Sequence, residues 1–201
     1  MKKISQLLFV AILLISANAN AQSEVSGTSS NADASANAKV MKPLKLTWGK
    51  ALNFGTFTSP TMPSTVKMDA SGPVLTGINW MTISGTPTVT SGNTTLVNTA
   101  QTGATAGNPG PSTFRVNGKP GLTYTISLPP STIPVVPVVT LDGNESAPEM
   151  VLSDFTCDLG STGTVGAGGY QFFYVGSTIN INAGQAPGVY SGQFNVAVAY
   201  N

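Results

Sequence analysis

The stretch that most constrains the fold is the last one, Gly188-Val189-Tyr190-Ser191-Gly192-Gln193-Phe194-Asn195-Val196-Ala197-Val198-Ala199-Tyr200-Asn201. Even positions carry Tyr190, Phe194, Val196, Val198 and Tyr200, and odd positions are mostly polar or small. That period of two places the apolar side chains on one face of an extended strand, whereas a helix would scatter them. A slip of one residue would turn every aromatic to water, so the register is tightly specified. The expectation is a single half-buried strand that closes a β-sheet core, with Gly188, Tyr190, Phe194, Val196, Val198 and Tyr200 as its candidate assembly residues.

The rest of the chain is punctuated in the same β idiom. Short β-branched and aromatic runs occur at 65–68, 80–83, 86–90, 94–97 and 113–118. Others follow at 122–128, 150–155, 170–175 and 178–182, all separated by Gly, Pro and Asn. No helical period appears after residue 21, which predicts an all-β sandwich, with a closed barrel as the alternative. Val40, Leu44, Leu46 and Trp48 are expected on one face of a first strand, edge-placed or bulged by Pro43. Phe114-Arg115-Val116-Asn117 and Leu122-Thr123-Tyr124-Thr125-Ile126 flank Lys119-Pro120-Gly121 and read as a hairpin over one core. The run 133–141 contains Pro134 and Pro137, which would confine it to a sheet edge.

The N-terminus begins Met1-Lys2-Lys3, continues with an apolar run from Leu7 to Ile15, and ends in Ala19-Asn20-Ala21. A charged start, a short apolar core and an Ala-x-Ala end match a secretory signal peptide, and the core falls short of the roughly 20 residues a membrane span needs. Residues 22–37 are Ser, Asn, Ala and Gly with little to bury and read as a flexible arm. The expected organisation is a signal peptide at 1–21, the arm at 22–37 and a β-sandwich domain at 38–201. Export would be to the periplasm or cell surface, with no membrane span left after cleavage.

Charge narrows the function classes. Charged residues make up 8% of the chain, against about 25% in an average soluble domain. The formal net charge of +1 becomes −1 once Lys2 and Lys3 leave with the signal peptide. With a single arginine, Arg115, there is no basic cluster for a nucleic-acid backbone. A surface so poor in like charges offers little resistance to self-association, so a monomer or weak homo-oligomer with structural or adhesive duty is expected.

Chemistry finds few footholds. The chain has no His, which removes the commonest general base and metal ligand and any Ser-His-Asp arrangement. Asp142-Gly143-Asn144-Glu145 lacks the ligand pattern of a calcium loop and reads as a turn. Asp154 and Asp158 flank Cys157 but nothing in the sequence fixes their separation, and Cys157, the one cysteine, reads as a small buried apolar residue, with an intermolecular disulfide as the alternative. A hydrolase would need acids among Asp69, Asp142, Asp154 and Asp158 to converge. No enzyme activity and no cofactor are expected. The Gly-rich loop 160–169 has no Lys for phosphate, and the loop 101–112 reads as a surface connection.

Four motifs in order carry a resemblance: Leu52-Asn53-Phe54-Gly55, Phe114-Arg115-Val116-Asn117-Gly118-Lys119-Pro120-Gly121-Leu122-Thr123-Tyr124, Val175-Gly176-Ser177-Thr178, and Gly188 through Val196. Together they resemble a bacterial family of secreted domains of unknown function, similar to spore-coat-U-like and chaperone-usher pilin-like proteins. The resemblance runs from about Ala38 to the C-terminus. It implies an immunoglobulin-like antiparallel β-sandwich and no enzyme activity. Its implied partners are other surface subunits or a periplasmic chaperone. Like such pilins, the chain has a penultimate aromatic, Tyr200, and a glycine fourteen residues from its end, Gly188. It departs from them in its arm, where Val25 and small Ala residues stand in place of large apolar plugs, and in having no second cysteine for a disulfide. The competing class is an extracellular binding module whose loops or exposed aromatics take a glycan or a protein ligand.

Overall fold

The computed structural model describes residues 38–71, 85–97, 109–140 and 147–201. The expected signal peptide, the arm, the strand at 80–83, most of the loop 101–112 and the Asp142-Gly143 turn lie outside the described residues. Met41–Asn201 forms one compact unit.

Its described strands are β1 (Lys45–Lys50), β2 (Ser64–Met68), β3 (Thr88–Ser91), β4 (Ser112–Asn117), β5 (Thr123–Ser127) and β6 (Ile133–Thr140). They continue with β7 (Met150–Cys157), β8 (Thr162–Thr164), β9 (Tyr170–Ile181), β10 (Gly188–Ser191) and β11 (Ala197–Tyr200). Every pairing is antiparallel. The larger sheet runs β1-β4-β9-β7-β6-β10, with β2 and β3 attached beside β9, and the smaller runs β11-β5-β8. The expectation of an all-β sandwich is met.

β9 organises the larger sheet. Its run of aromatic and β-branched residues suits a central strand, and it is long enough to hold two neighbours in succession on one side. Tyr170–Val175 pairs with β4, and Ser177–Ile181 pairs with β2. Gly176 sits between the two ladders, where a Cβ would collide with the Met68 carbonyl oxygen and lie 2.6 Å from the Ala70 nitrogen. On its other side β9 pairs with β7 across a bulge between Ser153 and Thr156. Asp154 takes φ 51° there, a conformation that Asp tolerates better than most residues.

Two apolar clusters fill the interior. One gathers Val66, Met68, Met150, Leu152, Ile179 and Ile181 among others; the second gathers Phe114, Val116, Tyr124, Ile126, Phe173 and Val175. Phe155 packs against both. Each fully buried side chain of this size contributes about 1.5–3 kcal/mol, an upper figure because the unfolded chain already hides some surface.

Three expectations change. The Lys119-Pro120-Gly121 turn does not join a hairpin: β4 pairs with β1 and β9, whereas β5 pairs with β11 and β8. Gly118 and Gly121 donate to Gly169 and Val165 at 3.0 and 2.8 Å, so the chain arches from one sheet to the other. Phe114, Val116, Tyr124 and Ile126 do share a core, but from opposite walls. Alternation fixes which face is buried, and a hairpin and an arch satisfy it equally.

The run 133–140 is not the outermost strand, because β10 lies outside it. Ile133–Val135 pairs with β7 and Val136–Thr140 with β10, and no residue lies in both ladders. Each half therefore has one side without a ladder, which is how Pro134 and Pro137 are tolerated.

The terminal stretch, expected as one strand, is two. β10 joins the larger sheet through β6 and β11 joins the smaller through β5. Gly192–Val196 between them belongs to neither ladder. At Gly192 the backbone passes so close to Pro134 that a Cβ would stand 2.6 Å from its carbonyl oxygen.

Candidate functional site

The terminal segment keeps its alternation through the crossover. Tyr190, Phe194, Val196, Val198 and Tyr200 are all inward and half-buried, and their odd-numbered neighbours are exposed. None of the five is fully buried, so each contributes less than a sealed core residue would. The reason is visible in the walls: among the described residues, two clefts border this segment.

A cleft of about 720 Å³ lies between the 52–59 segment and residues 185–194, floored by Met150, Leu152 and Ile179. A second of about 460 Å³ lies between Leu46 and Trp48 of β1 and residues 193–196, with Phe114 at its base. The two share Leu52 and Phe194. Trp48, expected to be buried with Leu44 and Leu46, is 62% exposed. Its indole nitrogen donates to the Lys50 carbonyl at 2.9 Å, which holds the ring at the mouth of the second cleft. Leu44 and Leu46 do pack on the core; Val40 precedes β1 and is not part of it.

The 52–59 wall is held by isolated bridges, Asn53 to Gly110 and Phe57 to Leu96. Asn53 exchanges backbone hydrogen bonds with Gly110 at 2.8 and 2.9 Å, and Thr58 donates to Thr95 at 2.8 Å. Among the described residues no ladder joins this wall to Gly192–Val196.

At the other end of the larger cleft a buried amide fixes Tyr190. Gln185, only 4% exposed, donates to the Pro148 carbonyl and to Tyr190 Oη at 2.5 and 2.9 Å. It accepts from the Asn182 side-chain amide at 3.1 Å. Tyr190 Oη in turn donates to the Ala186 carbonyl at 2.8 Å. Gln185 was hidden in Asn182-Ala183-Gly184-Gln185-Ala186-Pro187, which reads only as a turn, because nothing local shows a polar side chain folding inward.

The six terminal residues are therefore divided. Gly188 opens β10 opposite Thr140. Tyr190 lines the larger cleft, Phe194 stands where the clefts meet and packs against Phe155 at 5.1 Å, and Val196 lines the second. Val198 and Tyr200 lie in β11 opposite Ile126 and Tyr124.

The sandwich with these clefts coincides with a match, over residues 44–200, to a family described as a domain of unknown function, DUF4402. The chain belongs to the DUF4402 family. No curated protein and no solved structure matches it.

The acids of this DUF4402 domain have separate partners. Asp69 pairs with Lys67 at 2.7 Å, and Asp154 accepts from Ser153 Oγ at 2.9 Å on its bulge. Asp158 accepts from the Tyr174 amide at 2.7 Å, and burial holds its carboxyl above the ordinary range. Asp142 lies outside the described residues. No group of three or more Cys, Asp or Glu side chains comes together among the described residues. Cys157 points inward but is only half-buried. Its thiol lies 3.6 Å from Asp158 Oδ1, and burial first, then that carboxylate, push it up to about 11.

Among the described residues no helix is long and apolar enough to cross a membrane.

Proposed function

We propose that the chain is an exported, non-enzymatic, pilin-like structural or adhesive subunit of the cell surface. Its contact site in this reading is the open side of the sandwich. The observation that carries the reading is Gly192–Val196, a segment that joins no ladder among the described residues and borders two apolar clefts. An unpaired extended segment is a template for strand addition, with backbone hydrogen bonds giving affinity and alternate side chains giving register. The clefts beside Phe194 would receive the inward side chains of an added strand, and Trp48 would cover its outer edge. The signal-like N-terminus and the 8% charge content support export and self-association. The incoming segment belongs to another surface subunit; before assembly, a periplasmic chaperone would cover the same edge.

The test is to express the full chain in its host and follow both processing and assembly. The reading expects a protein cut near Gln22, accessible to protease added outside the cell, and present in assemblies. Asn195→Pro removes one backbone N–H from the open edge and should dissolve those assemblies while leaving the melting temperature within a few degrees of wild type. Retention of the uncut chain inside the cell, or assemblies indifferent to Asn195→Pro, would defeat the reading. Deleting residues 22–37 shows whether the chain's own arm is the donated strand, since assembly would then be lost with the arm.

A further inference from the structure

The opposite face of the larger sheet carries a second arrangement. Where β1, β4 and β9 run side by side, alternation sends Phe114, Val116, Phe173 and Val175 into the core, with Phe114 stacked on Phe173 at 5.1 Å. The intervening residues face out. Register sets them in two cross-strand rows: Lys45, Asn117 and Tyr170 in one, Thr47, Arg115 and Phe172 in the next.

Arg115 is the only arginine in the sequence. Its guanidinium carbon lies 4.6 Å from the centre of the Tyr170 ring and 6.0 Å from that of Phe172. The two rings meet at 5.3 Å. Stacking on aromatic faces fixes the plane of a guanidinium and leaves its in-plane N–H groups to donate. Nε is buried without a hydrogen-bond partner among the described residues. The edge left for an incoming group is therefore the pair of terminal nitrogens, whose geometry fits a carboxylate with two parallel hydrogen bonds.

Among the described residues no carboxylate pairs with Arg115. The ion pair found among the described residues is Lys67 with Asp69, so within that set Arg115 and Lys45 have no carboxylate partner. Lys45, exposed, is diagonal to Arg115 across β1 and β4, a separation of roughly 7–8 Å in an antiparallel pair. Between and beside the two cations lie the Asn117 amide and the Thr47 hydroxyl, both able to donate to and accept from hydroxyl groups. Tyr170, 42% exposed, adds apolar ring surface.

We infer that this face binds a saccharide bearing carboxylates, a uronate-type polymer. The carboxylate would be gripped by Arg115 with Lys45 as a second positive point, the ring hydroxyls by Asn117 and Thr47, and the apolar ring surface by Tyr170. Two cations are too few to hold a nucleic-acid backbone. An acidic peptide would use the charges and leave the amide, the hydroxyl and the ring idle. This inference does not rest on strand addition, because it uses the other face of the sheet.

The test is titration calorimetry of the full chain with trigalacturonate, its methyl ester and a short polyglutamate of equal charge. The expected result is saturable binding of trigalacturonate, at least about tenfold weaker for the ester and for the peptide. Binding should weaken as salt is raised, since the charges are exposed to screening. Arg115→Lys keeps the charge and loses the planar fork, and should also weaken binding about tenfold. Lys45→Gln, at an exposed position that bears no packing, should weaken it several-fold without changing the melting temperature. Equal binding of the ester would overturn the carboxylate role, and equal binding of the peptide the saccharide. Unchanged affinity in Lys45→Gln and Arg115→Lys, or no heat up to about 10 mM ligand, would overturn the site.

Discussion

Tyr200 Oη accepts a hydrogen bond from the Lys119 amide at 2.8 Å and donates one to the Lys42 carbonyl at 3.4 Å. The penultimate side chain of the protein thus fastens the arch that carries the chain from β4 in one sheet to β5 in the other. Gly118 lies directly beneath it, where a Cβ would collide with Tyr200 Oη and sit 3.0 Å from Leu44 Cδ1. Tyr200→Phe keeps the ring and removes both hydrogen bonds. Because the Lys119 amide is exposed enough for water to replace the hydroxyl, the loss expected is about 0.5–1.5 kcal/mol by urea denaturation. Gly118→Ala forces the ring aside and should cost more, about 1–3 kcal/mol.

Gly176 is a position where a methyl group should do great harm. The atoms in its way are the backbone of Met68 and Ala70, which cannot rotate aside as a side chain can. Gly176→Ala has to separate β2 from β9 or bend β9 at its centre. We expect a loss of more than about 3 kcal/mol, among the large effects of single substitutions. Gly163→Ala meets instead the ring of Tyr124, which is wholly buried and hemmed in on all sides, so it should also destabilise. A soluble Gly176→Ala protein with a wild-type urea midpoint would refute the assigned role of this glycine.

These glycines mark the limit of what a sequence of this kind shows. Period-two alternation correctly placed Phe114, Val116, Tyr124, Ile126 and the even-numbered terminal residues on inward faces, because that pattern follows from strand geometry alone. Partner choice does not follow from it. The terminal run has an unbroken alternation, yet Gly192 lets the chain leave one sheet and enter the other, and Phe194 ends up between two clefts. Trp48 fits the inward set by parity and is nevertheless mostly exposed, at the mouth of the second cleft. The Arg115 platform is illegible in the sequence for a related reason. Tyr170 and Phe172 lie two residues apart in β9, and only the β4 register brings Arg115 against them.

Alkaline pH should loosen the fold through Cys157 and Tyr124. Burial raises the thiol from its ordinary 9.0 to about 11 and the phenol from 10.0 to about 12. The unfolded chain therefore releases these protons at lower pH than the folded one. Their stabilising contribution is complete below about pH 9 and is lost as pH climbs through 11 and then 12. Lys50 acts with the opposite sign. Burial lowers its pKa, so the fold is relieved of a buried charge as pH rises toward the ordinary 10.5. The Cys157 share can be isolated by comparing wild type with Cys157→Ser in urea at about pH 8, 9, 10 and 11. The gap between their midpoints should change steadily from pH 9 upward in favour of the variant. A gap constant across that range would mean that the thiol ionises as freely in the fold as outside it.

Two aromatics beside the open edge should separate folding from assembly. Phe194 is half-buried against Phe155 and the second core cluster. A Phe→Ala change in a sealed core costs about 3–5 kcal/mol; at this half-open site about 2–3 kcal/mol is expected for Phe194→Ala. Trp48 contributes little to the core, and Trp48→Ala loses chiefly its hydrogen bond to Lys50, about 1 kcal/mol or less. If the clefts only reflect loose packing, the loss of assembly should follow the loss of stability, with Phe194→Ala the worse of the two. If the clefts receive an added strand, Trp48→Ala should impair assembly out of proportion to its small effect on stability. Light scattering over a concentration series, set beside the denaturation midpoint of each variant, distinguishes the two. Wild-type assembly by Trp48→Ala would remove this ring from the contact surface.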